Sequence, residues 1–376
     1  MTSTAAPQSV VLAGGGTAGH VNPLLSIADE IRRRNPDAAI RVLGTSTGLE
    51  AELVPQRGYT LHEIPRVPLP RKPSPEFFSL PSKLSAAVNA AEDAINEIDA
   101  QVVVGFGGYV STPAYLAARK KNVPVVIHEQ NARPGLANKL GAGWAKAVGL
   151  TFKDTPLKCR NGETAYTGLP LRQPIADLVA ARDTDAEGAR RQAAADLGLD
   201  PSLPTVLVTG GSLGAVSLNL AVSGAAQSLA DAGIQVLHLT GKGKAEDVEE
   251  RAGSVPNYHI REYLADMEKA LGSADVVIAR SGAGTVCELT ALGLPGIYVP
   301  LPIGNGEQRL NATPVVNAGG GLLVEDKKMT SQWVTDHIPP LIGDPSGLAV
   351  MASAAQAFGI RDGAARVVDL IEGVLA

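Results

Sequence analysis

The sequence predicts two doubly wound α/β domains in tandem. Short apolar runs of strand length recur along the whole chain, helix-like segments separate them, and the alternation starts afresh after about residue 170. Near-continuous apolar strands alternating with helices point to parallel sheets covered on both faces. A chain of 376 residues suits two domains of roughly 150–200 residues each.

In the first half, SVVLAG, IRVLG, QVVVGF, VPVVIHE and KAVGLTF read as strands. After the first of them, PLLSIADEIRRRN spaces Leu24, Ile27, Ala28 and Ile31 as an amphipathic helix requires. In the second half, TVLVTGGS, QVLHLTG, ADVVIARSG, GIYVPLP and GLLVED read as strands. Residues 170–204 carry no strand pattern and are rich in charge and alanine, so they hold the connection and the first helices of the second domain. The boundary falls near Gly168-Leu169-Pro170. The predicted domains are 1–169 and 170–359, with a C-terminal helix at about 360–376 packing back on the first. Two such domains facing each other leave a cleft between the carboxyl ends of their sheets, where ligands bind in folds of this kind.

Composition narrows the function. With 45% hydrophobic and 19% charged residues, the chain reads as soluble with sizeable cores. A net charge of −5 gives no global basic footprint, so no nucleic-acid partner is expected. Cys159 and Cys287 are too few and too far apart for a disulfide framework or a thiolate metal site. The opening MTSTAAPQSVVLAGGG lacks the basic region and long apolar core of a signal peptide. No stretch offers the ~20 apolar residues of a membrane-spanning helix. The expected location is cytoplasmic, with a membrane surface still within reach.

Glycine clusters mark the strand-to-helix junctions GGGTAGH (14–20), GFGGYVSTP (105–113), GGSLGAVSLN (210–219) and RSGAGTVCE (280–288). Glycine allows close backbone approach, so amides at the following helix start can point at an anion. Two such loops in each half predict a ligand with phosphates. The first cluster fits G-x-G-x-x-G, but a dinucleotide site wants an acid about 20 residues on, at the end of the second strand. Here that strand ends in Thr45-Ser46-Thr47, and Glu50 comes late, in a predicted helix. The Walker lysine is missing too. Neither a dehydrogenase nor an NTPase fits, and NAD binding is not expected.

His20 follows the first loop directly, in the first turn of a helix. A helix N-terminus disfavours the imidazolium and keeps the ring neutral, able to accept a proton. A histidine satisfied in the domain interior is the alternative. After VPVVI come His128, Glu129, Gln130 and Asn131, costly to bury unpaired, which points to a polar site at that strand's carboxyl end. Glu129 is a second candidate base, and Asn131 a candidate to orient a sugar hydroxyl. No H-E-x-x-H or D-x-D occurs, so no metal is expected; helix dipoles can stabilise a diphosphate leaving group instead.

GGGTAGHVNP, GFGGYVSTPAYLAA, HEQNARPGLANKL, TGGSLGAVSLN and RSGAGTVCELTALGLP, in this order, resemble the MurG-type N-acetylglucosaminyltransferases of bacterial peptidoglycan synthesis, from about residue 10 to about 325. The resemblance implies two Rossmann-like domains of the GT-B glycosyltransferase fold. It implies transfer of GlcNAc from UDP-GlcNAc to the 4-hydroxyl of MurNAc in undecaprenyl-diphosphate-linked MurNAc-pentapeptide (lipid I), giving lipid II with inversion. It assigns the donor to the second domain: Glu288 to the ribose hydroxyls, Ser212 to the diphosphate, and Leu264 to the uracil. Arg280, Ala283, Gly284 and Thr285 form the wall, and Gln308 and Asn311 touch the sugar. Thr17, Ala18 and Gly19, with Asn131 and Arg172, would close over the donor. Gly14, Gly15, Gly16, Gly107, Gly108 and Tyr109 form the loops for acceptor or diphosphate. His20 is the first choice of general base and Glu129 the second. Glu307 stands where the family often has glutamine, which puts the sugar contacts in question; Ala18 and Gly284 also depart from residues common in the family without removing a polar group.

A polyprenyl acceptor requires a membrane-facing surface. IPRVPLPRKPSPEFFSLPSKL (64–84) sets Arg66, Arg71, Lys72 and Lys83 beside Phe77, Phe78, Leu80 and Leu84, a composition that attracts anionic lipid and inserts apolar groups. The implied location is the cytoplasmic side of the cell membrane, peripheral, with cell-wall or division proteins as further partners. Three rivals share much of the pattern: a glycolipid-building transferase of the same fold, a non-hydrolysing UDP-GlcNAc epimerase, and a non-catalytic nucleotide-sugar sensor with no use for His20.

Overall fold

A computed structural model describes residues 6–67, 80–211 and 213–376. Ser212 and the predicted membrane-patch residues Arg71, Lys72, Phe77 and Phe78 lie outside the described residues. The chain divides into two compact units, residues 1–172 with 362–376, and 173–361.

The first unit runs β1 (Ser9–Ala13), α1 (Ala18–Arg34), β2 (Ala39–Gly44), α2 (Glu50–Gln56), β3 (Thr60–Glu63), α3 (Leu80–Glu97), β4 (Val102–Gly105), α4 (Ser111–Lys120), β5 (Val125–Glu129), α5 (Leu136–Gly141), β6 (Ala147–Leu150) and β7 (Glu163–Tyr166). Its strands form one parallel sheet in the order β3-β2-β1-β4-β5-β6-β7. The second unit runs α6 (Gln173–Asp196), β8 (Thr205–Thr209), α7 (Val216–Ser223), α8 (Ala226–Asp231), β9 (Gln235–Leu239), α9 (Glu246–Ala252), β10 (Tyr258–Arg261), α10 (Met267–Ser273), β11 (Val276–Ala279), α11 (Ala283–Leu292), β12 (Gly296–Tyr298), α12 (Glu307–Asn317), β13 (Gly321–Leu323), α13 (Ser331–Ile342) and α14 (Pro345–Ala357). Its sheet is parallel in the order β10-β9-β8-β11-β12-β13. The last helix, α15 (Gly363–Leu375), belongs to the first unit.

The predicted amphipathic helix is α1. Leu24, Ile27, Ala28 and Ile31 are all fully buried, in one cluster with Val10 and Leu12 of β1 and Val367, Val368 and Ile371 of α15. Arg34 ties the two helices, donating to Asp369 (2.6 Å), Glu372 (3.1 Å) and the Ala365 carbonyl (3.0 Å). In α6 the backbone leaves helical geometry at Asp185 (φ −151°). Asp185 Oδ1 accepts from Gly188 N at 2.8 Å, so the kink is a fresh helix start with its own N-cap.

β3, β7 and β10 were not expected from the sequence. They read TLHE, ETAY and YHIR, and each stands at a sheet edge with only partial burial. An edge strand needs no continuous apolar run, so the signal that marks the central strands is missing there.

Candidate functional site

In each sheet the chain order reverses once, and the glycine loops sit at those reversals. In the first unit the reversal lies between β1 and β4, whose carboxyl ends lead into residues 14–17 and 106–110. In the second it lies between β8 and β11, which lead into 210–211 and 280–282. Loops diverge at such a point and leave a crevice for ligand.

In the first unit the two loops touch. A Cβ on Gly108 would stand 2.9 Å from the Gly15 carbonyl oxygen, and Gly16 and Gly108 have φ of +87° and +79°, so larger residues would separate the loops. Ser111 Oγ locks the second loop, accepting from Gly107 N at 2.9 Å and lying 2.9 Å from the Ala13 carbonyl oxygen. His20 lies at the third position of α1. Its ring is 3.1 Å from Thr17 Oγ1 through Nδ1 and hydrogen-bonds the Gly15 backbone. Nε2 approaches Gly107, where a Cβ would stand 3.3 Å away, and Asn138 Nδ2 reaches the same spot. Burial lowers the His20 pKa, opposed by the Gly15 bond and the charge of Glu50. The imidazole is neutral in the ordinary pH range, as a base must be. The first intrahelical bond of α1 is His20 N to Thr17 O, 3.0 Å, so the Ala18 and Gly19 amides precede the ladder at the positive end of the helix.

The four polar residues after VPVVI divide in role. His128 is fully buried, with Nε2 2.9 Å from the Gly168 carbonyl oxygen, and burial pushes its pKa down to about 4. Gln130 Nε2 donates to the His128 carbonyl at 2.8 Å. Glu129 accepts from Asn131 N (3.0 Å), Gly135 N (3.0 Å) and Asn138 Nδ2 (2.9 Å). Both its oxygens therefore brace the loop into α5, while burial raises its pKa. Asn131 is half-buried in that loop, its carbonyl taking Thr155 Oγ1 at 3.2 Å. Tyr109 is 43% exposed, with the Arg66 guanidinium over its ring. Arg172 is half-buried at the end of the unit, just before α6.

In the second unit Arg280 is the hub. Its Nη1 lies 2.6 Å from Asp326 Oδ1 and donates to the Val299 (3.1 Å) and Pro300 (3.2 Å) carbonyls, and Nη2 donates to Ser217 Oγ (2.9 Å). Ser217 Oγ in turn donates to Asp326 at 2.6 Å. The guanidinium thus joins the end of β12 to the start of α7. Helix α11 begins beside it. Ala283 faces the core, whereas Gly284, Thr285 and Glu288 are only partly covered, and a Cβ on Gly284 would meet open space. Asn311 is buried and donates to the Ser281 carbonyl at 3.3 Å. Gln308 Oε1 accepts from Leu301 N at 3.0 Å, so it holds the loop before α12 with one end of its amide. Glu307 Oε2 and Ser281 Oγ are shielded from solvent with no partner among the described residues. Leu264 is half-buried in the loop after β10.

Sequence reasoning missed Glu50, Asn138, Ser217 and Asp326. Their partners are 9 to 109 residues distant or reached through a loop, and no local pattern announces such pairs. Among the described residues no group of three His, Cys, Asp or Glu could hold a metal ion, and no helix is long and apolar enough to cross a membrane.

Residues 10–150 match the glycosyltransferase family 28 N-terminal domain, and residues 205–367 the family's C-terminal domain. The chain is 50% identical, over 94% of both chains, to a Bifidobacterium adolescentis protein named UDP-N-acetylglucosamine--N-acetylmuramyl-(pentapeptide) pyrophosphoryl-undecaprenol N-acetylglucosamine transferase. It is 50% identical, over 98% of both, to a Streptomyces coelicolor protein of the same name. A crystal structure of Acinetobacter baumannii MurG covers 98% of this chain and all of its own, with a TM-score of 0.76 at 27% identity. A UDP-GlcNAc 2-epimerase from Neisseria meningitidis has a TM-score of 0.68 at 15% identity, covering 96% and 98%, which is a likeness of fold alone.

Proposed function

The chain belongs to glycosyltransferase family 28, and from that premise we propose that it is the GlcNAc transferase that converts lipid I to lipid II, a GT-B enzyme of peptidoglycan synthesis. It moves GlcNAc from UDP-GlcNAc to the 4-hydroxyl of MurNAc in undecaprenyl-diphosphate-MurNAc-pentapeptide. The observation that carries this reading is a neutral histidine wedged between two glycine loops at a sheet reversal, in a chain half identical along its length to enzymes so named.

His20 is the base. It takes the proton of the acceptor hydroxyl as that oxygen attacks the anomeric carbon, and the bond to UDP breaks with its electron pair leaving on the diphosphate. Attack opposite the leaving group turns an α-linked donor into a β-linked product. Glu129 is the weaker candidate, because its oxygens are engaged by three N–H donors. In the second unit the α11 start receives the nucleotide, with Glu288 on the ribose hydroxyls and Leu264 at the uracil. Ser212 and the neighbouring amides take the diphosphate. Arg280 shapes the wall through Ser217 and Asp326. The unpaired Glu307 Oε2 suits a sugar hydroxyl donor, beside Gln308 and Asn311, so the departure from glutamine keeps an acceptor there. The basic and aromatic residues of segment 64–84 meet an anionic membrane surface, where the polyprenyl acceptor resides.

Incubation with UDP-GlcNAc and a synthetic lipid I analogue tests the reading. Disaccharide formation with release of UDP is expected. Release of a 2-epimer without acceptor would point to the epimerase, and tight UDP-GlcNAc binding with no turnover to a sensor. Transfer to diacylglycerol but not to the lipid I analogue would assign a glycolipid transferase.

A further inference from the structure

Glu50, the first residue of α2, is fully buried beneath the first glycine loop. Its Oε2 accepts from Gly16 N at 2.8 Å, and its Oε1 from Thr45 N at 2.9 Å and Thr45 Oγ1 at 2.8 Å. Burial alone would raise its pKa, but these donors outweigh it and hold the carboxyl below the usual range, so a fixed negative charge sits under the loop. The enclosure is tailored to it: a Cβ on Gly15, Gly44 or Gly48 would collide with the Glu50 side chain. Gly16 N–H and the Gly15 carbonyl are the two ends of one peptide group, and the Gly15 backbone is the hydrogen-bond partner of His20.

We propose that Glu50 is a positioning residue for His20, acting through the Gly15–Gly16 peptide: the carboxylate holds the N–H end, and the carbonyl end holds the imidazole N–H. The arrangement is a carboxylate–histidine pair with one peptide inserted. A carboxylate on the N–H polarises the peptide and makes its carbonyl a stronger acceptor. Nε2 is the ring nitrogen turned toward the glycine loops; a proton held there by the Gly15 carbonyl leaves the lone pair on Nδ1, 3.1 Å from Thr17 Oγ1. The charge also favours the imidazolium that forms as the acceptor is deprotonated. Glu129 of β5 and Tyr115 of α4 both bond Asn138, whose Nδ2 lies beside the ring at Gly107; among the described residues Glu50 is the charge that acts on the ring.

The inference rests on His20 as the base. In Glu50→Gln, with wild-type UDP affinity and a cooperative melt as controls, kcat should fall about 10-fold with KM for UDP-GlcNAc unchanged. The acidic limb of the kcat/KM profile should move to lower pH by about half a unit to one unit, because loss of the charge weakens the imidazolium. The His20 ring pKa, followed by NMR, should move equally. A fall in kcat with limb and ring pKa unmoved would overturn the proposal and leave Glu50 a loop brace. If Glu50→Gln does not fold, Glu50→Asp decides by the same readouts. Its shorter reach should give a smaller shift in the same direction, and no shift would overturn the proposal. Wild-type turnover in His20→Ala would remove the base reading, whereas the ring pKa in the Glu50 variants reports the coupling regardless.

Discussion

Thr17 Oγ1 lies 3.1 Å from His20 Nδ1, at the N-cap of α1, and makes no capping bond to a backbone amide. A threonine at this position usually caps the third residue's N–H; here that amide bonds the Thr17 carbonyl instead, and the hydroxyl orients the imidazole. Replacing His20 with alanine should lower kcat about 10²–10⁴-fold while UDP affinity is retained. Thr17→Val should lower kcat less, with the ring present but no longer oriented. Steady-state transfer to a lipid I analogue, beside UDP titration, checks both.

The pH profile follows from the same ring. Burial lowers the His20 pKa, so kcat/KM should rise along a limb below about pH 6.5, the ordinary histidine value, and plateau at neutral pH. A plateau that begins well above pH 7 would refute a neutral, buried base.

Glu129 tests the alternative base. A Glu129→Gln amide can serve at most part of the three donors that converge on the carboxylate and sets its own N–H₂ against one of them. A loss of about 1–3 kcal/mol in folding stability is expected, read by urea denaturation, together with reduced transfer. The acidic limb should survive in this variant. Its disappearance here, with retention in His20→Ala, would transfer the base role to Glu129.

Lysine should replace Arg280 only in part. An ammonium cannot reach Asp326, Ser217 and two carbonyls together from a single fork. Arg280→Ala leaves Asp326 partly buried without its cation, a loss of about 3–5 kcal/mol for a buried pair, to be discounted toward the low end because Asp326 keeps some exposure. Arg280→Lys should keep the fold and raise KM for UDP-GlcNAc, with kcat less affected. Thermal melts and substrate titration separate the two effects.

Two fully buried histidines add to the acid sensitivity of the fold, beside His20 and His259, whose pKa values burial also lowers. His128 is held neutral by burial at about 4, and His238, between Tyr258 OH (2.7 Å) and Asn219 Oδ1 (3.1 Å), at about 3. The unfolded chain takes up these protons near pH 6.5. Between that value and pH 4 the unfolded state binds more protons, so stability is full above about 6.5 and drains as pH falls, by about 1.4 kcal/mol per unit for each histidine. Urea midpoints from pH 7.5 to 4.5 should show this slope, and His238→Gln should remove its own share, about 1.4 kcal/mol per unit.

Much of this protein could be read before its structure. The central strands, the α1 stripe of Leu24, Ile27, Ala28 and Ile31, and the glycine loops are local patterns: burial on both faces demands continuous apolar runs, and a strand-to-helix turn demands glycine at fixed places. The order of the motifs carried the family, and with it the reaction. The edge strands β3, β7 and β10 escaped because a strand paired on one side needs no apolar run. Glu50 escaped for a deeper reason. By sequence it was an acid in the wrong place for a ribose, and nothing local says that its carboxylate folds back 34 residues to the Gly16 amide. The division of labour among His128, Glu129, Gln130 and Asn131 was equally hidden. Their composition demanded hydrogen-bond partners, but only the tertiary structure supplies them, because Gly135, Asn138 and Gly168 meet these side chains through packing of separate elements. Periodicity and turn chemistry are written in neighbouring residues; the pairing of buried polar groups is decided by which elements the cores bring together.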